Sequence, residues 1–498
     1  MKLTQGSGSS IILPADSIIT NSEGKAVFIV SSTKAEKVTY IAIDITDGNL
    51  EITQKAEISF TAGAVNAGQS TVEADKTTVT ANGMDSASIT VTLKDAYGNP
   101  ISVITVILSQ DTGNSTIEAV HSTSRSDGTA VFTVKNTTAE QVTYTAKANG
   151  INVNQTVTVS FLPGPAEIFI VEAEGTQKAG TPFSVSVTAK DKYGNTATGY
   201  TGTVQLTSSD PKAVLPESYT FTAADQGTHI FGGVILKTAG EQSVTATDVN
   251  NGLIFGVSGK ITVSTDVFDT GKSEIMADKT VVTADGVDSA TITVTLRDAY
   301  SNPVKDKTVT LDQDSGTSVI QAVYGISGID GTVVFTVTNT KAETVNYWAM
   351  VDGTVIAEPV EVTFLPGAAA RLEWKTQPGG GAAGQIWPQQ PVLALKDSYG
   401  NVITGDNSSK VTLGLKNDTQ AILGGTTTIT LKNGEAIFHD LQIDSRGIFK
   451  LTPSIDIEGI DSTDSNDFRI SLVPAPIIEP RGGTFLDPIT VSIHNEEE

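Results

Sequence analysis

The chain has 498 residues, 39% of them apolar but only 6% aromatic, with 32 basic against 56 acidic residues and a formal net charge of −24. This length exceeds what a single core accommodates, and the acidic balance argues against a nucleic-acid partner, which needs a basic face. Without cysteine there are neither disulfides nor thiolate metal sites, and without a run of about 18 apolar residues there is no membrane span.

Residues 1–62 read as the second half of a module. Gly24-Lys25-Ala26-Val27-Phe28 matches Gly128-Thr129-Ala130-Val131-Phe132, and Tyr40 matches Tyr144, at one offset of 104. Lacking opening strands, this half-module (A0) is expected to fray or to borrow a partner strand. Met1 to Leu13 has no basic segment, apolar stretch and cleavage site in series, so no signal peptide is expected there.

A full module (A1) is expected at 71–164. Ile89, Val91 and Leu93 alternate with Ser88, Thr90 and Thr92, the pattern of a half-buried strand in a sandwich. Asp127-Gly128 then turns the chain into Ala130, Phe132 and Val134, and Thr143-Tyr144-Thr145-Ala146 forms a later strand. The whole set returns as A2, expected at 272–367: Asp75 and Asp278, Asp95 and Asp298, Gly128 and Gly331, Phe132 and Phe335, Tyr144 and Tyr347 all stand 203 residues apart. Something two modules long is therefore duplicated. The intervening unit (B1, 165–268) and its counterpart (B2, 368–473) share Tyr193 with Tyr399 and Phe231 with Phe438. Leu162-Pro163-Gly164 and Leu365-Pro366-Gly367 end the A modules, and such short Pro-Gly junctions favour a semi-rigid rod. The stretch 474–498, from Glu479-Pro480-Arg481 to Ile489-Thr490-Val491, reads as the opening of a further β module, so both ends are expected to be truncated.

One pentapeptide punctuates the array: Asp95-Ala96-Tyr97-Gly98-Asn99, Asp191-Lys192-Tyr193-Gly194-Asn195, Asp298-Ala299-Tyr300-Ser301-Asn302 and Asp397-Ser398-Tyr399-Gly400-Asn401. Each copy lies between strands and reads as a turn, with Gly giving positive φ and Asp and Asn bonding back to turn amides. It counts modules and carries no visible chemistry.

These residues resemble a known family. Ala74-Asp75-Lys76, the Asp-x-Tyr-Gly-Asn-Pro turn, Asp-Gly-x-x-x-Phe and the strand with Tyr144 or Tyr347 are similar to the bacterial Ig-like domain of invasin and intimin type (Big-1). The B units, with Ala179-Gly180-Thr181-Pro182-Phe183 and Tyr200-Thr201-Gly202, look like related bacterial Ig-like modules, and the 474–498 stretch resembles the start of a module found C-terminal in chitobiases and β-hexosaminidases. The resemblance implies an all-β fold of tandem Ig-like β-sandwich domains in an extended array, at the bacterial cell surface or outside the cell, where such arrays serve as stalks. Within it, Tyr144 and Tyr347 are expected to pin a corner by bonding an adjacent loop.

No catalytic constellation is visible. His121, His229, His439 and His494 fall one to a module, no Gly-x-Ser-x-Gly elbow occurs, and no enzyme is expected. Trp348, Trp374 and Trp387 read as core or inter-module packing, with sugar stacking as the alternative. Asp456, Glu458, Asp461, Asp464 and Asp467 read as a solvated acidic loop, with a Ca²⁺ site as the alternative, although no EF-hand spacing is present. The leading expectation is a non-enzymatic, monomeric spacer or adhesion stalk with unidentified protein or glycan partners. The alternatives are an accessory region of a larger polysaccharide-active enzyme and a self-associating surface-layer component.

Overall fold

The computed structural model describes residues 1–417, 420–472, 477–479 and 490–494, and the chain falls into two compact units, Met1–Ser264 and Thr265–Glu498. Both are built almost wholly of strands; one 3₁₀ turn, Ala223–Asp225, is the helical element among the described residues. Among those residues no helix is long and apolar enough to cross a membrane.

In the first unit, A1 is a two-sheet sandwich. One sheet orders Val106–Gln110, Gln141–Ala148, Val157–Leu162 and Thr78–Thr80, with Ile151–Asn152 hooked onto its second strand; the other orders Thr116–His121, Thr129–Lys135, Ala87–Thr92 and Thr71–Ala74. The alternating strand sits where its pattern directs it: Ile89, Val91 and Leu93 are fully buried, and Ile89 lies opposite Phe132 across the antiparallel pair. Burying one face of such a strand is what holds its register, because a one-residue slip would expose every apolar side chain.

The A0 stretch keeps part of this plan. Lys37–Asp44 pairs with Lys2–Gln5 and with Ala56–Ser59, while Ile11–Leu13 and Ile29–Ser31 form a separate hairpin. Phe28 and Val30 are only half-buried there, whereas Phe132 and Val134 in A1 are 4% and 0% exposed.

B1 divides its strands over three small sheets, which include Ile168–Ala173 with Pro182–Lys190 and Thr228–Ile235, and Thr203–Ser208 with Val244–Asp248. In the second unit A2 repeats the A1 strand order from Glu274–Ala277 onward, with Thr354–Leu365 as one continuous strand where A1 has Ile151–Asn152 and Val157–Leu162. B2 gathers its apolar side chains around Trp387, Phe438 and Phe468. Of the 474–498 stretch, Ile477–Glu479 pairs with Ser492–His494; Pro480, Arg481 and the rest up to Ile489 lie outside the described residues.

Candidate functional site

Each pentapeptide is a turn around a buried aspartate. In A1, Asp95 Oδ1 accepts the amides of Tyr97 and Asn99 at 2.9 Å each, while Oδ2 accepts Asn99 Nδ2 at 2.8 Å. Oδ2 also accepts the amide of Gly63, at 2.9 Å, on the segment that enters the module. Asp191 grips Gly164 at 2.9 Å, Asp397 grips Gly367 at 3.0 Å and Asp298 grips Asp266 at 3.1 Å in the same way. Burial alone would raise the carboxyl of Asp95, but its hydrogen bonds from Asn99, Gly63 and Tyr97 outweigh that and bring it down to about 2. Asp191 and Asp397 are lowered from the ordinary carboxylate range by the same balance.

The turn requires a left-handed residue at its fourth position. Gly98, Gly194 and Gly400 take φ of 85°, 86° and 94°, and Ser301 is held at 68° in A2. A β-carbon in that region costs roughly 1–2 kcal/mol.

The asparagine does more than cap its own turn. Asn99 Oδ1 accepts the amide of Ala35 at 2.8 Å while its Nδ2 donates to the carbonyl of Thr33 at 2.8 Å. Asn195 makes the same reciprocal pair with Ala139 (2.8 Å) and Thr137 (2.9 Å), and Asn401 with Ala342 (2.8 Å) and Thr340 (2.9 Å). An amide side chain thus docks on backbone of the preceding module as another strand residue would, at A0–A1, A1–B1 and A2–B2. Tyr193 adds a hydrogen bond from its hydroxyl to the carbonyl of Asn82, 2.8 Å. Expected only to turn the chain, the pentapeptide therefore also clamps it to its neighbour.

The receiving loop has its own sequence signal: Thr33-Lys34-Ala35-Glu36, Thr137-Thr138-Ala139-Glu140 and Thr340-Lys341-Ala342-Glu343. Its glutamate braces the loop. Glu140 Oε1 accepts Asn114 N and Asn136 Nδ2 at 2.7 Å each, and Glu343 accepts Thr317 N at 2.7 Å and Asn339 Nδ2 at 3.0 Å. Bonds from Lys341, Thr317 and Asn339 overcome the effect of burial and bring the Glu343 carboxyl to about 2. A shallow cleft lined by Thr33, Lys34, Gly63, Asp95, Tyr97 and Asn99 marks the first junction.

Tyrosine corners are present in each A module. The Tyr144 hydroxyl lies 2.6 Å from Ser115 Oγ, and Tyr347 lies 2.5 Å from Ser318 Oγ. Burial pushes the Tyr347 hydroxyl up to about 12 and raises that of Tyr144.

The remaining candidates are dispersed. Asp456 accepts the amide of Lys410 at 2.8 Å, Asp464 pairs with Lys416 and accepts Thr452 Oγ1 at 2.8 Å, and Asp467 lies 3.6 Å from Lys450. Glu458 is exposed, and Asp461 lies on a short strand beside Arg371. Among the described residues no three His, Asp or Glu side chains converge as a metal-ion set. Trp387 is buried with its ring 5.0 Å from Phe468, the Trp374 indole N–H donates to Thr463 at 2.9 Å, and Trp348 is half-buried. His121 contacts Arg125, His229 stacks on Tyr219 at 3.5 Å, His439 is exposed, and the side chain of His494 lies outside the described residues.

Repeated β-sandwiches that share one turn define a tandem-repeat, all-β protein. Residues 69–162 and 272–365 match the family model of the bacterial Ig-like domain (group 1), so the chain carries two such domains. The inverse autotransporter adhesin YeeJ of Escherichia coli (strain K12) is 24% identical over 369 residues, which cover 70% of this chain; the chain spans about 15% of that relative's length. Among solved structures, the Escherichia coli adhesin FdeC matches at 22% identity and a TM-score of 0.41, over 61% of this chain and 99% of that one. Invasin, a bacterial integrin-binding protein, matches at 14% identity and a TM-score of 0.37, over 82% of each chain.

Proposed function

We propose that this chain is a section of the stalk of a bacterial cell-surface adhesin, a non-enzymatic run of Ig-like modules that holds a binding region away from the envelope. The reciprocal asparagine clamp, repeated at three junctions, carries this reading. A spacer must keep its reach, and two hydrogen bonds from one short side chain, with the aspartate gripping the linker amide beside it, resist bending where a bare linker would swivel. The matched relative is an adhesin, which agrees with the role. Partner binding to protein or glycan surfaces is assigned to parts of the parent protein beyond this array.

Small-angle scattering on dilute chain tests the reading. The intact chain is expected to give a maximum dimension several times that of one domain, and the triple variant Asn99→Ala, Asn195→Ala, Asn401→Ala a broader distribution of dimensions. A compact wild-type envelope, or identical curves for both chains, would remove the rod.

A further inference from the structure

The sheet of A2 that ends on Val319–Tyr324 has Thr332–Thr338 on one side of that strand and, among the described residues, no strand on the other. Its exposed side chains are uncharged and mostly apolar: Val319 is 65% exposed, Val323 47%, Tyr324 68% and Ile326, just past the strand, 59%, with Gln321 the exposed polar residue among them. From Ser315 to Ile329 there is no charged residue, in a chain where 18% are charged. Natural edge strands are usually guarded by charge, because their open amides and carbonyls are a template for another strand.

The equivalent edge of A1, Thr116–His121, shows that guard in place. Glu118 pairs with Lys135 at 2.7 Å and His121 contacts Arg125. At the same offset of 203, A2 carries Gln321 for Glu118, Thr338 for Lys135, Tyr324 for His121 and Gly328 for Arg125. Both partners of the ion pair have been replaced by neutral residues, while the core residues behind them keep their types: Ile117 and Ile320, Phe132 and Phe335.

We propose that Val319–Tyr324 is an association edge on which a second copy of this chain adds its own Val319–Tyr324 strand, antiparallel and about a two-fold axis at Gln321. The sequence Val319-Ile320-Gln321-Ala322-Val323 is close to self-complementary under that operation. Ile320 meets Ala322 of the second copy and the two Gln321 amides face each other and can hydrogen-bond, while Val319 and Val323, the latter the extra residue of a β-bulge, add apolar side chains at the two ends of the seam. The self-complementary sequence points to a second copy, and the uncharged edge permits one. Elsewhere the net charge of −24 sets two copies against each other, and in A1 the same geometry would place Glu118 against its own copy, a directly opposed like-charge pair. Of these two edges, the A2 edge lifts that repulsion. This departs from the monomeric rod expected from composition and is independent of the stalk reading, since a rod can be single or paired.

The absence of cysteine makes the test direct. In the full chain Gln321→Cys places the two thiols about 4.5–5.5 Å apart by Cα across an antiparallel pair, within disulfide reach. Mild oxidation is expected to trap a dimer with Gln321→Cys and not with Glu118→Cys. Sedimentation of the cysteine-free chain from about 10 μM to about 1 mM is expected to show reversible dimers, as small interfaces give. Gln321→Glu, an isosteric change on an exposed side chain, should weaken them about tenfold, with part of the loss recovered at high salt. Glu118→Gln should leave them unchanged. A chain that stays monomeric at the highest concentration, or equal trapping at positions 118 and 321, overturns the proposal and leaves this edge to a strand of different chemistry.

Discussion

B1 and B2 share a place in the repeat and a pentapeptide, yet they fill their interiors in different ways. In B1 the aromatic weight forms a chain toward one end: Phe169 packs edge-on to Tyr200 at 5.5 Å, Tyr200 to Phe221 at 5.1 Å, and Tyr219 lies between Phe221 and the stacked His229. The Tyr200 hydroxyl donates to Asp248, so a carboxylate is drawn to the rim of the core. B2 has Asp406 where B1 has Tyr200, and there the side chain only caps Ser408 and Ser409. Its volume is supplied instead by Trp387, 1% exposed and packed against Phe468. The difference extends to the surface. Ile168 and Ile170 face out on the first strand of B1, opposite Lys190 and Thr188, while Arg371 and Glu373 on the corresponding strand of B2 face Lys396 and Ala394 and join an ion-pair group with Lys396. The scaffold tolerates exchange of which side chains fill and clothe it; it does not exchange the turn by which each module is held.

The largest test of that contrast is Trp387→Ala. Removing a fully buried tryptophan costs about 3–5 kcal/mol, and Phe468 and Phe449 beside it would be left lining the gap. The three tryptophans, Trp348, Trp374 and Trp387, all lie in the Thr265–Glu498 unit, so indole fluorescence follows that unit alone while calorimetry follows the whole chain. The expected result is an early fluorescence transition with the endotherm of the Met1–Ser264 unit unmoved. A single cooperative shift of all transitions would show that the units do not melt separately.

The second test belongs to B1. Asp248→Ala leaves the Tyr200 hydroxyl without its acceptor, at a cost of about 2 kcal/mol. Burial raises the Asp248 carboxyl, but the hydrogen bonds from Tyr200, Asn251 and Asn250 more than offset this and hold it below its ordinary value. A carboxyl lowered in the folded state gives its full stabilisation above the unfolded value of about 3.9 and loses it as pH falls toward the folded one. Wild-type B1 should therefore lose stability on acidification below about pH 4, and Asp248→Ala should flatten that part of the profile. Equal slopes in both chains would show that Asp248 is not the group responsible.

How much of this was legible in the sequence follows from the distance over which each signal acts. Ile89, Val91 and Leu93 declared a buried face because alternation is a local property, and all three are buried. The tyrosine corner was legible from the recurrence of Tyr144 and Tyr347, though not its serine partners Ser115 and Ser318, which sit on the loops that lead into Thr116–His121 and Val319–Tyr324. The clamp was missed because the pentapeptide explains itself locally: Asp95 and Asn99 already satisfy a turn, and nothing within five residues shows that the Asn99 amide has its second set of partners at Thr33 and Ala35. The recurring Thr-x-Ala-Glu before each Asp-x-Tyr-Gly-Asn module was the available clue. Closeness in sequence does not mean shared partners at Asp456, Asp464 and Asp467, which the strands turn toward Lys410, Lys416 and Lys450.

The smallest expected effect sharpens the comparison most, because it concerns what B1 and B2 have in common. Asn195→Ala and Asn401→Ala each delete two hydrogen bonds to the backbone of the preceding A module, and at about 0.5–1.5 kcal/mol per bond each should cost about 1–2 kcal/mol. The clamps have nearly the same geometry, with Oδ1 at 2.8 Å and Nδ2 at 2.9 Å in both, so the two losses should agree even though the cores behind them differ. Chemical denaturation of the full chain resolves this when each unit is followed by its own signal, indole fluorescence for Asn401→Ala and hydrogen exchange of the Thr137–Glu140 loop for Asn195→Ala. Tyr193 gives B1 a further bond, to Asn82. Tyr193→Phe added to Asn195→Ala should therefore bring the A1–B1 loss above that of A2–B2. If the Asn195→Ala loss instead follows the chemistry of the B1 interior, for example by vanishing in an Asp248→Ala background, then junction and core are one cooperative element and the clamp is not a separable part.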